Sequence, residues 1–203
     1  MDEILLIGAG GHARACIDVI EIANQFKIAG LVEKDESMTD ANLGYPIIGT
    51  DSDLFDLRQQ YSYALVTVGQ IKSSKARIKL YQQLKELNFM LPVVISPEAY
   101  VSEHAQIGEG TIIMHGSIVN ANSDIGKNCI INNTTLIEHD TIIGDHCHIA
   151  TGAIINGGVT VGNKTFIGSG AITKQCISIG NNCLIGAGVI LKRNIKTNQV
   201  INN

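Results

Sequence analysis

In IEHDTIIGDHCHIATGA, residues 137–153, three histidines and three carboxylates lie among isoleucines. A strand buried on both faces would hold none of them, so they mark either a solvated edge or a site. His139 followed by Asp140 suits general-base chemistry. Neutral imidazole accepts a proton near neutral pH, and a neighbouring carboxylate can hold its tautomer and stabilise the imidazolium that forms. Metal chemistry is the alternative, because His115, His139, His146 and His148 together form a candidate zinc ligand set. Polar decoration of a scaffold corner is the third reading. A second stretch, GAGGHA, carries different chemistry. Gly8, Gly10 and Ala13 fit the pattern GxGxxG/A after an apolar run. Small residues there let backbone N–H groups and a helix N-terminus approach a phosphate, with Glu33 or Asp35 placed for a ribose hydroxyl.

These residues need elements to hold them. Up to about residue 94, strand-like and helix-like runs alternate. Ile4–Ile7 reads as a buried strand and Ala13–Ala23 as a helix with Cys16, Val19, Ile20 and Ala23 on one face. Ile28–Glu33 and Tyr63–Val68 read as further strands, and Phe89–Ile95 as a fourth. Asp51 is placed to cap a helix through Leu54 and Leu57, and Ser73–Leu87 forms another helix. Alternation of this kind predicts a parallel α/β sheet. Four strands make only half of a dinucleotide fold, and no substrate domain for a nicotinamide reaction is in view. A glycine turn without a ligand is the plain alternative for GAGGHA.

From Ile95 the period becomes six. Ile95, Val101, Ile107, Ile113, Val119 and Ile125 begin a run of aliphatic heads that continues in register to Leu191, broken only by Thr173. A small or apolar residue follows four places after each head, as at Ala99, Ala105 and Thr111. Such a period fits neither an α-helix nor an alternating strand; it is the hexapeptide signature of a parallel β-helix, whose stacked coils bury what no single coil can. Cys129, Cys147 and Cys183 share one place in the repeat and read as small fillers, not nucleophiles. The domains therefore divide as 1–94 and 95–203.

Composition excludes several classes. With 45% hydrophobic but only 4% aromatic residues and no Trp, the core must be aliphatic. A net charge of −4 without a basic run argues against nucleic acid. Asp2 and Glu3 precede the first apolar run, whereas a signal peptide begins with positive charge, and no window has the length of a membrane span. Five scattered cysteines without a CxxC pair fit reduced thiols in the cytoplasm.

Taken together, GAGGHA, LIEHD, the hexads and IGAGVILKRNI resemble the PglD/NeuD-type sugar acetyltransferases, over nearly the whole chain. The resemblance implies a Rossmann-like nucleotide-binding domain followed by a left-handed parallel β-helix. It also implies acetyl-CoA as co-substrate without a metal, and a homotrimer with active sites between adjacent β-helices. It makes His139 the general base and Asp140 its partner. His148 and Gly157 then belong to acetyl-CoA, with the Gly157 N–H reaching the thioester carbonyl. For the acceptor it implies a nucleotide diphosphate cradled by Gly8, Gly10 and Gly11, with His12 near the sugar. Glu33, Lys34 and Asp35 stand where the family often has two consecutive acids, and Asn132 is assigned to the acceptor as well. His146 and His104 match nothing in the family and read as surface residues. The family's terminal GxPA-type segment has no counterpart in NQVINN, which implies weaker CoA binding.

The expected activity is N-acetylation of a UDP-linked 4-amino-4,6-dideoxy sugar for surface glycan synthesis. O-acetylation of a sialic-type acid is the nearest alternative. A zinc-dependent β-helix carbonic anhydrase and a non-catalytic sugar-nucleotide binder stand further off.

Overall fold

The computed structural model describes residues 1–34 and 42–202. The N-terminal part is a four-stranded parallel sheet of β1 (Glu3–Ile7), β2 (Lys27–Glu33), β3 (Ile47–Thr50) and β4 (Tyr63–Val66), in the order β3-β2-β1-β4. Strand alternation divides β1 between two layers. Ile4 and Leu6 pack with Ala13, Cys16, Ile17 and Ile20 of α1 (Gly11–Ala23). Leu5 and Ile7 pack with Leu54 and Leu57 of α2 (Leu54–Arg58) and with Leu80 and Leu84 of α3 (Lys75–Glu86). Phe89–Ile95 is not the fourth strand. Only Met90 bridges to Tyr63, and Pro92 has no N–H to offer a ladder. Ile47–Thr50 takes that place instead. The turn into α2 is closed by Asp53, which accepts the Thr50 N–H at 2.7 Å, not by Asp51.

Residues 94–201 form a β-helix of two-residue strands stacked in three parallel sheets. Partners such as Ile130 and His148 are one coil apart. Heads from Ile113 to Leu191 point inward and form one aliphatic column. Each fully buried isoleucine contributes roughly 2–3 kcal/mol. Thr173 keeps the shape of that column, and its hydroxyl accepts the Asn156 N–H at 2.9 Å. The small corner residues do more than fill space. Thr111 and Ser123 hydroxyls donate to the Gly126 and Glu138 carbonyls, and the Cys129 and Cys147 thiols do the same to Gly144 and Gly162. The last coil is shorter, since Ile179 bridges Ile195 and Leu184–Ile185 pairs with Val200–Ile201.

The two parts share one core. Val94, Ile112 and Ile130 project outward from one β-helix sheet and pack in the same cluster as α1. This seam decides which surfaces face each other. Among the described residues no helix is long and apolar enough to cross a membrane.

Candidate active site

In a parallel α/β sheet, ligands bind beyond the carboxyl ends of the strands. Here the ends of β1, β2 and β4 open onto the β-helix, and a cleft of about 560 Å³ lies between them. It gathers Gly8, Gly10, Gly11, His12 and Glu33 from the α/β part with Asn132 and His148 from the coils. The glycines differ in what they permit. Gly8 has φ +111, and a Cβ there would meet Val68 Cγ2 at 2.5 Å, so the turn itself requires it. At Gly10 and Gly11 an added Cβ would meet nothing within 4 Å, so that side of the loop is open for a ligand. The α1 N-terminus has no side-chain cap and no acid in its first turn, which leaves its N–H groups to an anion.

Glu33 is partly committed elsewhere. Its two carboxylate oxygens accept the Ala9 N–H at 2.7 Å and the Lys34 N–H at 2.9 Å, which ties the glycine loop to the end of β2. Lys34 is exposed at the same bend. Asp35 lies outside the described residues. His148 is buried, and both ring nitrogens are engaged. Its Nδ1 donates to the Gln70 carbonyl at 2.5 Å, and Nε2 accepts from the Asn132 amide at 3.2 Å. These partners assign the neutral Nδ1–H tautomer. Burial also pushes its pKa down to about 4. His148 thus lines the same cleft as the glycine loop.

His139 and Asp140 occupy a different place, a β-helix corner where their side chains are 65% and 55% exposed. Asp140 adopts φ +58, a left-handed conformation that Asp and Asn tolerate. This bend turns adjacent side chains toward each other, and His139 Nδ1 lies 2.7 Å from Asp140 Oδ2. The other carboxylate oxygen accepts the Asn122 amide at 2.6 Å. Asp140 thus fixes the ring with Nδ1 protonated, and among the described residues the Nε2 lone pair has no hydrogen-bond partner. Gly157 lies against that nitrogen, since a Cβ on it would be 2.9 Å from both Nε2 and Cε1. Among the described residues no acceptor takes the Gly157 N–H. The hydrogen bond to Asp140, reinforced by the charges of Asp140 and Glu138, raises the His139 pKa above its ordinary 6.5.

The matching family descriptions are the PglD N-terminal domain over residues 3–84, bacterial transferase hexapeptide repeats over 104–139 and 122–157, and the hexapeptide repeat of succinyl-transferase over 158–193. No curated protein matches the chain. Among solved structures, a histidine-substituted perosamine N-acetyltransferase from Caulobacter crescentus, in complex with CoA and GDP-perosamine, is 33% identical. It superimposes with a TM-score of 0.92 over 98% of this chain and 93% of that one. This chain belongs to the PglD/NeuD-type sugar acetyltransferases. The acetyltransferase domain of PglB from Neisseria gonorrhoeae is 27% identical with a TM-score of 0.91, covering 100% of this chain and 97% of that chain. WeeI from Acinetobacter baumannii, at 22% identity and TM-score 0.89 over 100% and 97% of the chains, shares the fold. The β-helix of this sugar acetyltransferase is accordingly left-handed.

In this acetyltransferase, some functional groups escaped sequence reasoning. Thr67, Gly69 and Gln70 wall the cleft, and the signal for them was their place just after the carboxyl end of β4. Arg77 was missed altogether. Its guanidinium is fully buried and donates to the Val66 and Val68 carbonyls at 2.9 and 2.7 Å, and to Asn128 Oδ1 at 2.7 Å. Spaced with Leu80, Tyr81 and Leu84 on one helix face, it is the charged member of an otherwise apolar stripe. His146 is half-buried at the seam rather than fully exposed. It packs edge-on to Tyr81 with ring centroids 5.4 Å apart, and its Nδ1 lies 3.0 Å from the Asn128 amide, because α3 docks on that column of corners. His104 is exposed. His115 bridges the two parts through Ser96 Oγ at 2.7 Å and Asp18 Oδ2 at 3.0 Å. Among the described residues no group of three His, Cys, Asp or Glu could hold a metal ion.

Proposed function

We propose that the protein transfers acetyl from acetyl-CoA to the amino group of a nucleotide-linked 4-amino-4,6-dideoxy sugar. The observation that carries this reading is His139, held by Asp140 through Nδ1 with its Nε2 edge against the Cα face of Gly157. The Caulobacter relative, crystallised with CoA and GDP-perosamine, supports the substrate class. The acceptor's nucleotide lies on the glycine loop in the cleft. Its amine attacks the thioester carbonyl, forming the C–N bond. His139 Nε2 takes the amine proton, and the Gly157 N–H holds the oxyanion. Collapse breaks the C–S bond, and the imidazolium returns a proton to the departing CoA thiolate. Asn132 and His148 shape the wall of the acceptor cleft.

A homotrimer fits this chemistry. One sheet of the β-helix presents Tyr100, Ile118, Leu136, Ile154, Ile172 and Ile190 outward in a single ladder. Tyr100, Ile118 and Ile190 are 59%, 40% and 59% exposed. A continuous apolar face of this kind calls for a partner, and His139 stands at its edge, two residues beyond Ile137. A second copy packed on the ladder would close the open corner around His139 and leave a groove for pantetheine. Paired Ile118→Glu and Ile190→Glu substitutions should convert trimers to monomers on a sizing column and abolish turnover. Retention of the trimer would move the interface to another face. A cytoplasmic location is part of the same proposal, and the free thiols support it.

Thiol release from acetyl-CoA tests the reaction itself. The acceptors are GDP- and UDP-linked 4-amino-4,6-dideoxy sugars and a sialic acid, each with and without EDTA. EDTA-insensitive release with an amino sugar is expected. Release with the sialic acid alone would overturn N-acetylation. The pH profile tests the base. Because His139 must be neutral to act, kcat/KM should rise with pH through a limb above 6.5. In Asp140→Asn that limb should move to lower pH, since the carboxylate that raises it is gone. An unmoved limb would take Asp140 out of this role.

A further inference from the structure

His12 and Cys16 lie one turn apart on the same face of α1. The Cys16 side chain is fully buried, and its Sγ is 3.4 Å from His12 Nε2. Burial pushes the thiol up to about 12. Burial, with the Arg77 charge behind it, pushes the imidazole down to about 3. The pair therefore exists as thiol and neutral imidazole, not as thiolate and imidazolium. Of the two, the thiol is the donor and the ring nitrogen the stronger acceptor. The S–H then points at Nε2, and the ring proton resides on Nδ1. Among the described residues that Nδ1 has no hydrogen-bond partner. That nitrogen is not fully enclosed. The ring borders the cleft opposite Gly69, where a Cβ would meet His12 Cβ at 3.5 Å.

We propose that Cys16 is a positioning residue that locks His12 in its Nδ1–H tautomer, so that a neutral donor faces the diphosphate oxygens of the nucleotide-sugar in the cleft. The proposal rests on the reading of that cleft as the nucleotide site. The opposite tautomer would aim a lone pair at an anionic oxygen, losing one hydrogen bond and adding a repulsion. His148, across the cleft with ring centroids 6.5 Å away, is held as the same tautomer by the Gln70 carbonyl. Two neutral imidazoles in fixed tautomers thus flank the loop where backbone N–H groups supply the remaining donors. A cationic histidine in this buried position would carry a desolvation cost, whereas a locked neutral ring does not.

The test has two readouts. Long-range proton–nitrogen NMR on the full-length, ligand-free wild type should show His12 with Nδ1 protonated and Nε2 bare. This needs no variant and no enzymatic assay. An Nε2-protonated ring in the wild type would overturn the lock. Calorimetry with GDP and with UDP then compares wild type, Cys16→Ala and Cys16→Ser. Loss of one hydrogen bond should weaken binding of the preferred nucleotide about three- to tenfold in Cys16→Ala. Cys16→Ser, whose hydroxyl still donates, should recover most of that loss and restore the tautomer. Equal affinities for wild type and Cys16→Ala would overturn the functional half of the proposal. If the wild type binds neither nucleotide, the nucleotide reading of the cleft falls and takes that half with it, while the NMR result still decides the lock.

Discussion

His139→Ala should lower the turnover of acetyl transfer by about 10²–10⁴-fold, the usual contribution of a positioned general base. It should do so without disturbing the fold. The ring is largely exposed, and its contacts are the Asp140 carboxylate and the face of Gly157. Exposed side chains outside buried networks change stability by about 0.5 kcal/mol or less. The melting temperature and the sizing profile should therefore match wild type while activity collapses. A variant that keeps full turnover would remove His139 from the chemistry. The attacking amine would then have to arrive already neutral, with the corner serving only to orient it. A variant that loses activity and shifts its sizing profile together would instead show a structural role for the ring.

Arg77→Leu should produce the largest loss of stability, about 3 kcal/mol. The guanidinium is enclosed between α3, the end of β4 and the coil corner at Asn128. Burial lowers its pKa to about 10, so it is still charged at neutral pH. Leucine relieves the buried charge but abandons the carbonyls of Val66, Val68 and Asn128 together with Asn128 Oδ1. Each buried acceptor left without a donor costs roughly 1–3 kcal/mol, so the abandoned groups outweigh the relief. For a chain of this size, about 3 kcal/mol lowers Tm by roughly 6–12 °C. Nucleotide affinity should fall as well, because Val66 and Val68 lead into the Thr67–Gln70 wall of the cleft. An unchanged Tm would mean that water replaces the guanidinium at those carbonyls.

Much of this architecture is written locally. A strict six-residue recurrence of aliphatic heads admits one solution, stacked coils, because only stacking buries a face that each coil leaves bare. The left-handed corner positions are legible in the same way. Asn122, Asn128, Asp140 and Gly152 fall at one place in the repeat and are residue types that accept positive φ, although Thr134, Lys164 and Cys176 are held in it at the same place by the coil. The strand–GAGG–helix unit is equally local, and the turn at Gly8 needs no side chain. What misled the reading was a segment whose fate depends on distant partners. Phe89–Ile95 has strand composition, but Pro92 and the start of the β-helix claim it, and the sheet finds its edge at Ile47–Thr50 instead.

The sequence by itself determined the two kinds of domain, the register of the coils, the glycine turn after β1 and the pairing of an imidazole with the next carboxylate. Periodicity and residue type act over a few positions, and those features need nothing further away. Only the tertiary structure decided which of them meet. It placed His148 and Asn132 opposite the glycine loop, turned His146 into a seam residue against Tyr81, and buried Arg77 as the staple between domains. It also set His139 and Gly157 apart from the cleft, on the rim of an apolar face. Those outcomes follow from how one rigid part docks on another. Docking brings together residues dozens of positions apart, and no local pattern records the distance between them.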